Sequence, residues 1–219
     1  MADAAWTASA SVVRESGTAP RHRAVVRVTH WITTVCFLAL FVTGMEIVVS
    51  HPRFYWGETG NVNTAPLFKI PIPASRGTVP TGYGYVMPDQ NGWSRYLHFE
   101  AAWALVLTGL VYVAAGLTTR HFRTRLLGGR TYNGLQRKTY LVVVFVLFPV
   151  VIWTGLAMSP AVVSAIPAVV TLLGGQQSAR TIHFFVSLAL FLFLLVHVVM
   201  VWRAGFWKLV RAMITGGER

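Results

Sequence analysis

Four long apolar runs constrain what this chain can fold into more than any other feature. Each is close to the roughly 20 residues that an α-helix needs to cross the hydrocarbon core of a bilayer. The runs cover residues 31–49, 99–118, 139–158 and 182–202. The chain is 54% hydrophobic and only 12% charged, a composition typical of membrane proteins. We therefore predict an all-α membrane protein, a four-helix transmembrane bundle with up-down-up-down connections, forming one membrane domain over residues 1–219.

Lysines and arginines are distributed unevenly about these runs. Fourteen of the 19 lie in the N-terminal segment, in the 119–138 loop and in the C-terminal tail, and five lie on the other side. Short cytoplasmic segments of membrane proteins are enriched in these residues. We expect a multi-pass membrane protein with both termini in the cytoplasm. Because the basic residues concentrate on one side of the membrane, the net charge of +12 favours anionic lipid over nucleic acid as a partner.

A long segment, residues 50–97, separates the first two runs. It contains six prolines and six glycines, which interrupt regular structure, together with several aromatic residues. A disordered linker would contain fewer aromatic residues. We therefore expect an ordered, irregular outer loop that lies on the membrane face or against a partner. A fifth apolar run, Ala161 to Leu173, is too short to span and contains a proline, so we expect it to be interfacial or re-entrant.

Three of the seven histidines stand in the same frame, Arg-x-x-His, and each frame opens an apolar run. They are His30, His98 and His183, and a fourth, His197, lies 14 residues after His183. Fourteen residues of α-helix make about four turns and rise about 21 Å, so His183 and His197 face the same way at opposite depths. Ionisable residues at membrane depth are costly and mark functional sites by default. The alternative is that hydrogen bonds between helices satisfy them.

The alternating direction of the spans assigns a partner to each histidine of the last span. His98 begins the second span and shares the outer depth of His183, whereas His30 begins the first span and shares the inner depth of His197. Two histidines per layer suit the axial positions of a haem iron better than a structural zinc site, which takes about four ligands. We therefore predict two b-type haems with bis-histidine ligation, one at His98 and His183 and one at His30 and His197.

Small and basic residues near the histidines are candidates for further haem contacts. Gly44 lies at the depth of the outer haem, and Gly109 faces nearly the same way as His98. Each would leave room for a porphyrin, or would simply permit close helix packing. Guanidinium groups bind carboxylates, including haem propionates, and those at span ends also extend to lipid headgroups. The four arginines nearest the histidines are Arg27, Arg95, Arg180 and Arg203.

The order of the four histidines, one on each of the first two spans and two on the fourth, is similar to that of a known family. The chain resembles the bacterial di-haem cytochrome b (cytochrome b561-like) family from about Arg21 to Trp207. This family includes the membrane subunits of formate dehydrogenase, nickel-iron hydrogenase and thiosulfate reductase. The resemblance implies two b-type haems and a role in electron transfer in the bacterial cytoplasmic (inner) membrane.

The segment Tyr132–Lys138 extends this resemblance. It is similar to the cytoplasmic loop at which formate dehydrogenase-type subunits bind menaquinone, although Gly134 stands one position earlier. The resemblance implies that Asn133 and Gln136 contact a quinone, whose carbonyl oxygens can accept hydrogen bonds from their amides. The alternative is an Asn-Gly turn that leads into a helix.

Taken together, the resemblance implies an electron-transfer subunit that passes electrons between quinone and an outer-face, periplasmic redox partner, such as a molybdenum-containing oxidoreductase. The seven acidic residues are scattered, and we assign no catalytic residue to the chain. Two other functions stay open. One is a stand-alone cytochrome b oxidoreductase that exchanges electrons between quinone and a small oxidant such as superoxide. The other is a transporter in which the membrane histidines relay protons.

Overall fold

The structure is a computed structural model that describes residues 23–61, 63–71, 91–119 and 134–217. Within these ranges four helices are long and apolar enough to cross a membrane, which confirms the predicted four-helix class. The helices that form the four spans are Ala24–Ser50, Asn91–Thr118, Lys138–Ala157 and Gln176–Arg203. The predicted runs fall inside them almost entirely, and the first, second and fourth helices begin several residues earlier than the runs do.

The four spans pack as two pairs. The first span lies along the second, and the third lies along the fourth. Thr43, late in the first span, contacts His98, early in the second, so this pair is antiparallel. The two pairs meet at Phe41 and Phe191, whose rings stack at 4.2 Å between the outer and inner layers of histidines. Many large apolar side chains on the perimeter of the bundle are exposed, which is typical of helix faces that contact lipid.

The third span is interrupted by one stretch of π-helix. The helix that contains this span consists of α-helix Gly134–Val142, π-helix Val143–Leu147 and α-helix Phe148–Ala157. The backbone N–H of Phe148 donates to the carbonyl oxygen of Val143, five residues back. Pro149 follows directly and has no N–H to offer the usual carbonyl four residues back. The wider turn lies beside a cavity between the third and fourth spans.

The outer segment contains a small antiparallel hairpin, made of the strands Arg53–Phe54 and Phe68–Lys69. The rings of Phe54 and Phe68 stack with centroids 4.6 Å apart. Phe54 also packs against Phe184 of the fourth span, at 4.5 Å between centroids. Aromatic residues thus hold this part of the outer segment against the bundle, while residues 72–90 lie outside the described residues.

The same segment caps the N-terminus of the fourth span. The carbonyl oxygen of Gly57 accepts hydrogen bonds from the backbone N–H groups of Gln177 and Ser178, at 3.0 and 3.2 Å. The carboxylate of Glu58 accepts a third from Gln176, at 3.2 Å. The first N–H groups of a helix have no partner within it and favour negative charge. The cap therefore anchors the outer segment directly above the fourth span.

The fifth apolar run forms two short helices, Pro160–Ala165 and Ala168–Thr171. Neither is long enough to span a membrane, as expected from the run's length. Val170 packs in a buried cluster with Ala157 and Ala179. The run therefore closes the outer end of the third and fourth spans.

A short amphipathic helix, Phe206–Thr215, follows the fourth span. Its last carbonyl groups are bound by the first span: Arg27 Nη1 donates to the Ile214 oxygen at 2.7 Å. The indole N–H of Trp31 donates to the Met213 oxygen at 3.2 Å. The last carbonyls of a helix lack partners within it and favour a cation. This C-terminal helix is thus attached to the inner end of the first span.

Candidate functional site

The structure brings the four predicted histidines together in two pairs at opposite ends of the bundle. The ring centroids of His98 and His183 are 6.3 Å apart, and those of His30 and His197 are 6.4 Å apart. Two imidazoles that bind one metal ion from opposite sides, each at about 2.0 Å, have centroids about 6 Å apart. Both pairs therefore fit a single iron between their rings. Among the described residues no group of three or more His, Cys, Asp or Glu could hold a metal ion, so each layer offers two ligands.

Threonine hydroxyls hold both outer histidines. Thr43 Oγ1 lies 2.9 Å from His98 Nδ1, and Thr154 Oγ1 lies 3.0 Å from His183 Nδ1. Each hydroxyl donates its own hydrogen to the backbone carbonyl four residues back, at 2.7 and 2.8 Å. The hydroxyl oxygen is then an acceptor for the ring, so Nδ1 carries the proton. The lone pair of Nε2 is left for a metal ion.

A glycine follows each of these threonines and lies against the same ring. A Cβ at Gly44 would be 3.6 Å from His98 Cε1, and a Cβ at Gly155 would be 3.6 Å from His183 Cε1. Gly44 was predicted from the sequence, whereas Gly155 and both threonines were not. A partial signal for them is the Thr-Gly dipeptide, which occurs late in the first and third spans but also at Thr108-Gly109 in the second.

The inner pair lies among aromatic side chains. The ring of Phe193 is stacked on that of His197, with centroids 5.8 Å apart. The ring centroids of Trp31 and His30 are 5.5 Å apart. Gly109 lies on the inner half of the second span, where an added Cβ would meet no atom within 4 Å. There is thus open space beside Gly109, but a porphyrin in that space stays a prediction.

A cavity of about 410 Å³ lies beside the inner pair, between the third and fourth spans. Its lining is almost entirely apolar and includes Val143 of the π-helical turn, Phe193 and Val196. Lys138 and Thr139, at the inner end of the third span, supply polar groups. The cavity is largely open to the surface of the bundle, and its size and apolar lining fit a small organic ligand.

Two of the predicted arginines lie at the outer end. Arg180 donates a hydrogen bond to the carbonyl oxygen of His51, and its guanidinium lies 5.2 Å from the centroid of the Phe54 ring. Arg95 is exposed at the start of the second span. Burial, followed by the positive charges of Arg180 and Arg95, lowers the pKa of His51. This end of the bundle therefore favours anions, such as the propionates of a haem, although contact with a propionate stays a prediction.

The two remaining arginines lie at the inner end. Arg27 is bound to the C-terminal helix through Ile214, and Arg203 is exposed at the end of the fourth span. Asn133 lies outside the described residues, as does the side chain of Gln136. Their roles toward propionates and quinone stay predictions.

A comparison with known families identifies the family of this chain. The family model described as prokaryotic cytochrome b561 matches residues 21–216, nearly the whole chain. The chain belongs to the prokaryotic cytochrome b561 family. The resemblance inferred from the histidines is thereby confirmed, and this cytochrome b is a multi-pass membrane protein that transfers electrons with b-type haem.

This cytochrome b also resembles an individual relative. It is 30% identical, over 207 residues, to a protein of Azospira oryzae described as a protein-methionine-sulfoxide reductase subunit, YedZ1. The alignment covers 82% of this chain and 89% of the relative. No solved structure matches the chain.

Proposed function

We propose that this cytochrome b is a di-haem electron-transfer subunit, which passes electrons between a quinone near the cytoplasmic face of the inner membrane and a redox partner at the outer face. The observation that carries the proposal is the presence of two imidazole pairs, at 6.3 and 6.4 Å, at opposite ends of one bundle. In this proposal His98 and His183 hold the outer haem, and His30 and His197 hold the inner one. Haem supplies reversible one-electron transfer when bound.

The fourth span supports a path across the membrane, because it provides one ligand to each pair. His183 and His197 are separated by about 21 Å of helix, which is most of the roughly 30 Å hydrocarbon core. The remaining ligands come from the first and second spans, so the two pairs of spans meet at the iron sites. With the basic residues at the inner end, we place both termini in the cytoplasm.

Quinone binding is supported by the cavity beside the inner pair. Its apolar lining suits a quinone ring and tail, and Lys138 and Thr139 could donate hydrogen bonds to quinone carbonyls. The predicted contacts Asn133 and Gln136 precede these residues in sequence. The cavity also includes Phe193, whose ring is stacked on that of His197.

An outer-face redox partner is supported by the similarity to YedZ1, which is described as a reductase subunit. We propose that the partner carries the catalytic cofactor, molybdenum being the one that the family resemblance implies, and that it docks near the outer hairpin. Purification distinguishes this from a stand-alone oxidoreductase. Co-purification with a cofactor-bearing subunit supports the proposal, whereas quinone-dependent turnover of superoxide by the isolated chain contradicts it.

The haem assignment is tested by replacing each histidine with alanine and counting haem per polypeptide. We expect two haems in the unmodified protein, loss of the same one in His98→Ala and His183→Ala, and loss of the other in His30→Ala and His197→Ala. Reduced-minus-oxidised spectra identify which haem remains. His51→Ala, outside both pairs, is the control and should keep both haems. Loss of different haems in His98→Ala and His183→Ala would falsify the pairing.

A further inference from the structure

We infer that Thr43 and Thr154 are positioning residues, which lower the redox potential of the outer haem by accepting hydrogen bonds from its two axial histidines. The inference rests on the proposed ligation by His98 and His183. Neither threonine contacts the site of the iron, so each would act through the histidine that it holds.

The geometry of the two contacts is nearly identical. The distances from Oγ1 to Nδ1 are 2.9 Å at Thr43 and 3.0 Å at Thr154, and both threonines are fully buried. Each threonine lies on the span that neighbours its histidine within a pair. A threonine hydroxyl therefore lies beside the ring of each of the two histidines at one candidate iron site, although the two threonines come from different spans.

The direction of these hydrogen bonds follows from the backbone. Each hydroxyl donates to the carbonyl oxygen four residues earlier, that of Ala39 for Thr43 and that of Val150 for Thr154. Because the hydroxyl hydrogen is used there, the oxygen can only accept from the ring. Each ring therefore keeps its proton on Nδ1 and is fixed in orientation.

The expected effect on the iron follows from the same bonds. An imidazole that donates from Nδ1 to an acceptor becomes a more basic ligand through Nε2. A more basic ligand stabilises Fe(III) relative to Fe(II), so it lowers the reduction potential of the couple. The step is addition of one electron to Fe(III) to give Fe(II), and both Nδ1 protons stay on their rings.

The test is a redox titration of the full-length protein with Thr43→Val and Thr154→Val, alone and combined. Valine keeps the shape of threonine but removes the hydroxyl. We expect both haems to remain bound and the potential of the outer haem to rise. In the double variant we expect about a tenfold change in the ratio of Fe(II) to Fe(III) at a fixed ambient potential, about 59 mV for a one-electron couple. The inner haem should be unchanged.

Two further sets of variants separate the hydrogen bond from packing. Thr43→Ser and Thr154→Ser keep a hydroxyl and should restore the original potential. Thr108→Val is the matched control, because Thr108 also donates to the carbonyl four residues back, at 2.7 Å, and also precedes a glycine. In the described part of the chain the Thr108 hydroxyl contacts no histidine, so its removal should leave the redox potentials of both haems unchanged.

The electron paramagnetic resonance spectrum of the ferric outer haem gives an independent measure, since it depends on how the two rings are oriented. We expect it to change in the valine variants and to return in the serine variants. Loss of the outer haem in the valine variants alone, with serine retaining it, would also support a role for the hydroxyl.

The inference is overturned if both haems are present and neither the potential nor the spectrum moves in the valine variants. It is also overturned if Thr108→Val causes the same shift, or if serine fails to restore the original values. These outcomes leave the proposed haem ligation intact. Absence of haem from the unmodified protein would overturn both the inference and the proposed function.

Discussion

At the outer end of the bundle, the behaviour of each histidine depends on the residues that surround its ring. His98 and His183 are held through Nδ1 by threonines, which leaves Nε2 for a metal ion. His51, the residue after the first span, has a different environment. It is partly buried, and its backbone carbonyl accepts a hydrogen bond from Arg180. A sequence that contains seven histidines does not by itself distinguish these environments.

The environment of His51 predicts a loss of stability in acid. Burial and the charges of Arg180 and Arg95 lower its pKa from the ordinary value of 6.5, so the unfolded chain binds the proton more tightly than the folded protein. This residue's contribution is complete above pH 6.5 and is lost as the pH falls from 6.5 toward the lowered folded pKa. We expect His51→Gln to show a smaller drop in Tm than the unmodified protein between about pH 7 and about pH 5. Thermal unfolding in detergent measures Tm at each pH. Equal drops in Tm in the two proteins would contradict the prediction.

At the scale of whole elements, local pattern and tertiary contact determine different things. The lengths of the spans follow from their apolar composition, but the π-helical turn before Pro149 was not predicted. The C-terminal helix is a similar case. Its amphipathic sequence favours a helix at an interface, whereas its attachment to the bundle depends on Arg27 and Trp31, more than 180 residues earlier.

Arg27→Ala should therefore release the C-terminal helix. The substitution removes the charged donor to the Ile214 carbonyl, a contact that stabilises a helix C-terminus by about 1 kcal/mol. We expect faster amide hydrogen exchange and easier proteolysis within residues 204–217, with both haems retained. Arg23→Ala, an exposed arginine at the start of the first span, is the control. If exchange in the C-terminal helix is the same in both variants, Arg27 does not hold it.

At the scale of the molecule, the two histidine pairs, the cavity and the charged ends follow one axis. The outer hairpin and its arginines lie at one end. The inner pair, the cavity and the attached C-terminal helix lie at the other. This order is compatible with the proposed electron transfer along the fourth span between a quinone inside and a partner outside.

Filling the cavity should therefore slow electron exchange with quinone while leaving the haems in place. Val196 lines the cavity and Val199, on the same helix, does not, yet the two have similar exposure, 57% and 53%. We expect Val196→Trp to slow haem reduction by a quinol at least about tenfold, because misplacing a reactant by about 1 Å can cost about 100-fold. In Val199→Trp, the haem should be reduced by the quinol at the same rate as in the unmodified protein.

Stopped-flow absorbance in detergent with a soluble quinol measures both rates. Equal rates in the two tryptophan variants would place the quinone elsewhere. A chemical reductant that bypasses the quinone site should reduce both variants equally and shows that their haems are intact.

The sequence by itself determined the four spans, the depths of the four histidines and their pairing. Each of these depends on length, apolarity or helical period, which are properties of a continuous stretch of chain. Gly44 was identified in the same way, because its position relative to His30 depends only on the period of one helix.

Only the tertiary structure revealed Thr43, Thr154 and Gly155 beside the histidines, the cavity beside Phe193, and the attachment of Arg27 to the C-terminal helix. Arg27 has the same local frame as Arg180, yet the two bind different partners at opposite ends. The physical reason is that these contacts depend on how each helix is rotated and which neighbour it faces. That is decided by packing between distant segments, which no local period encodes.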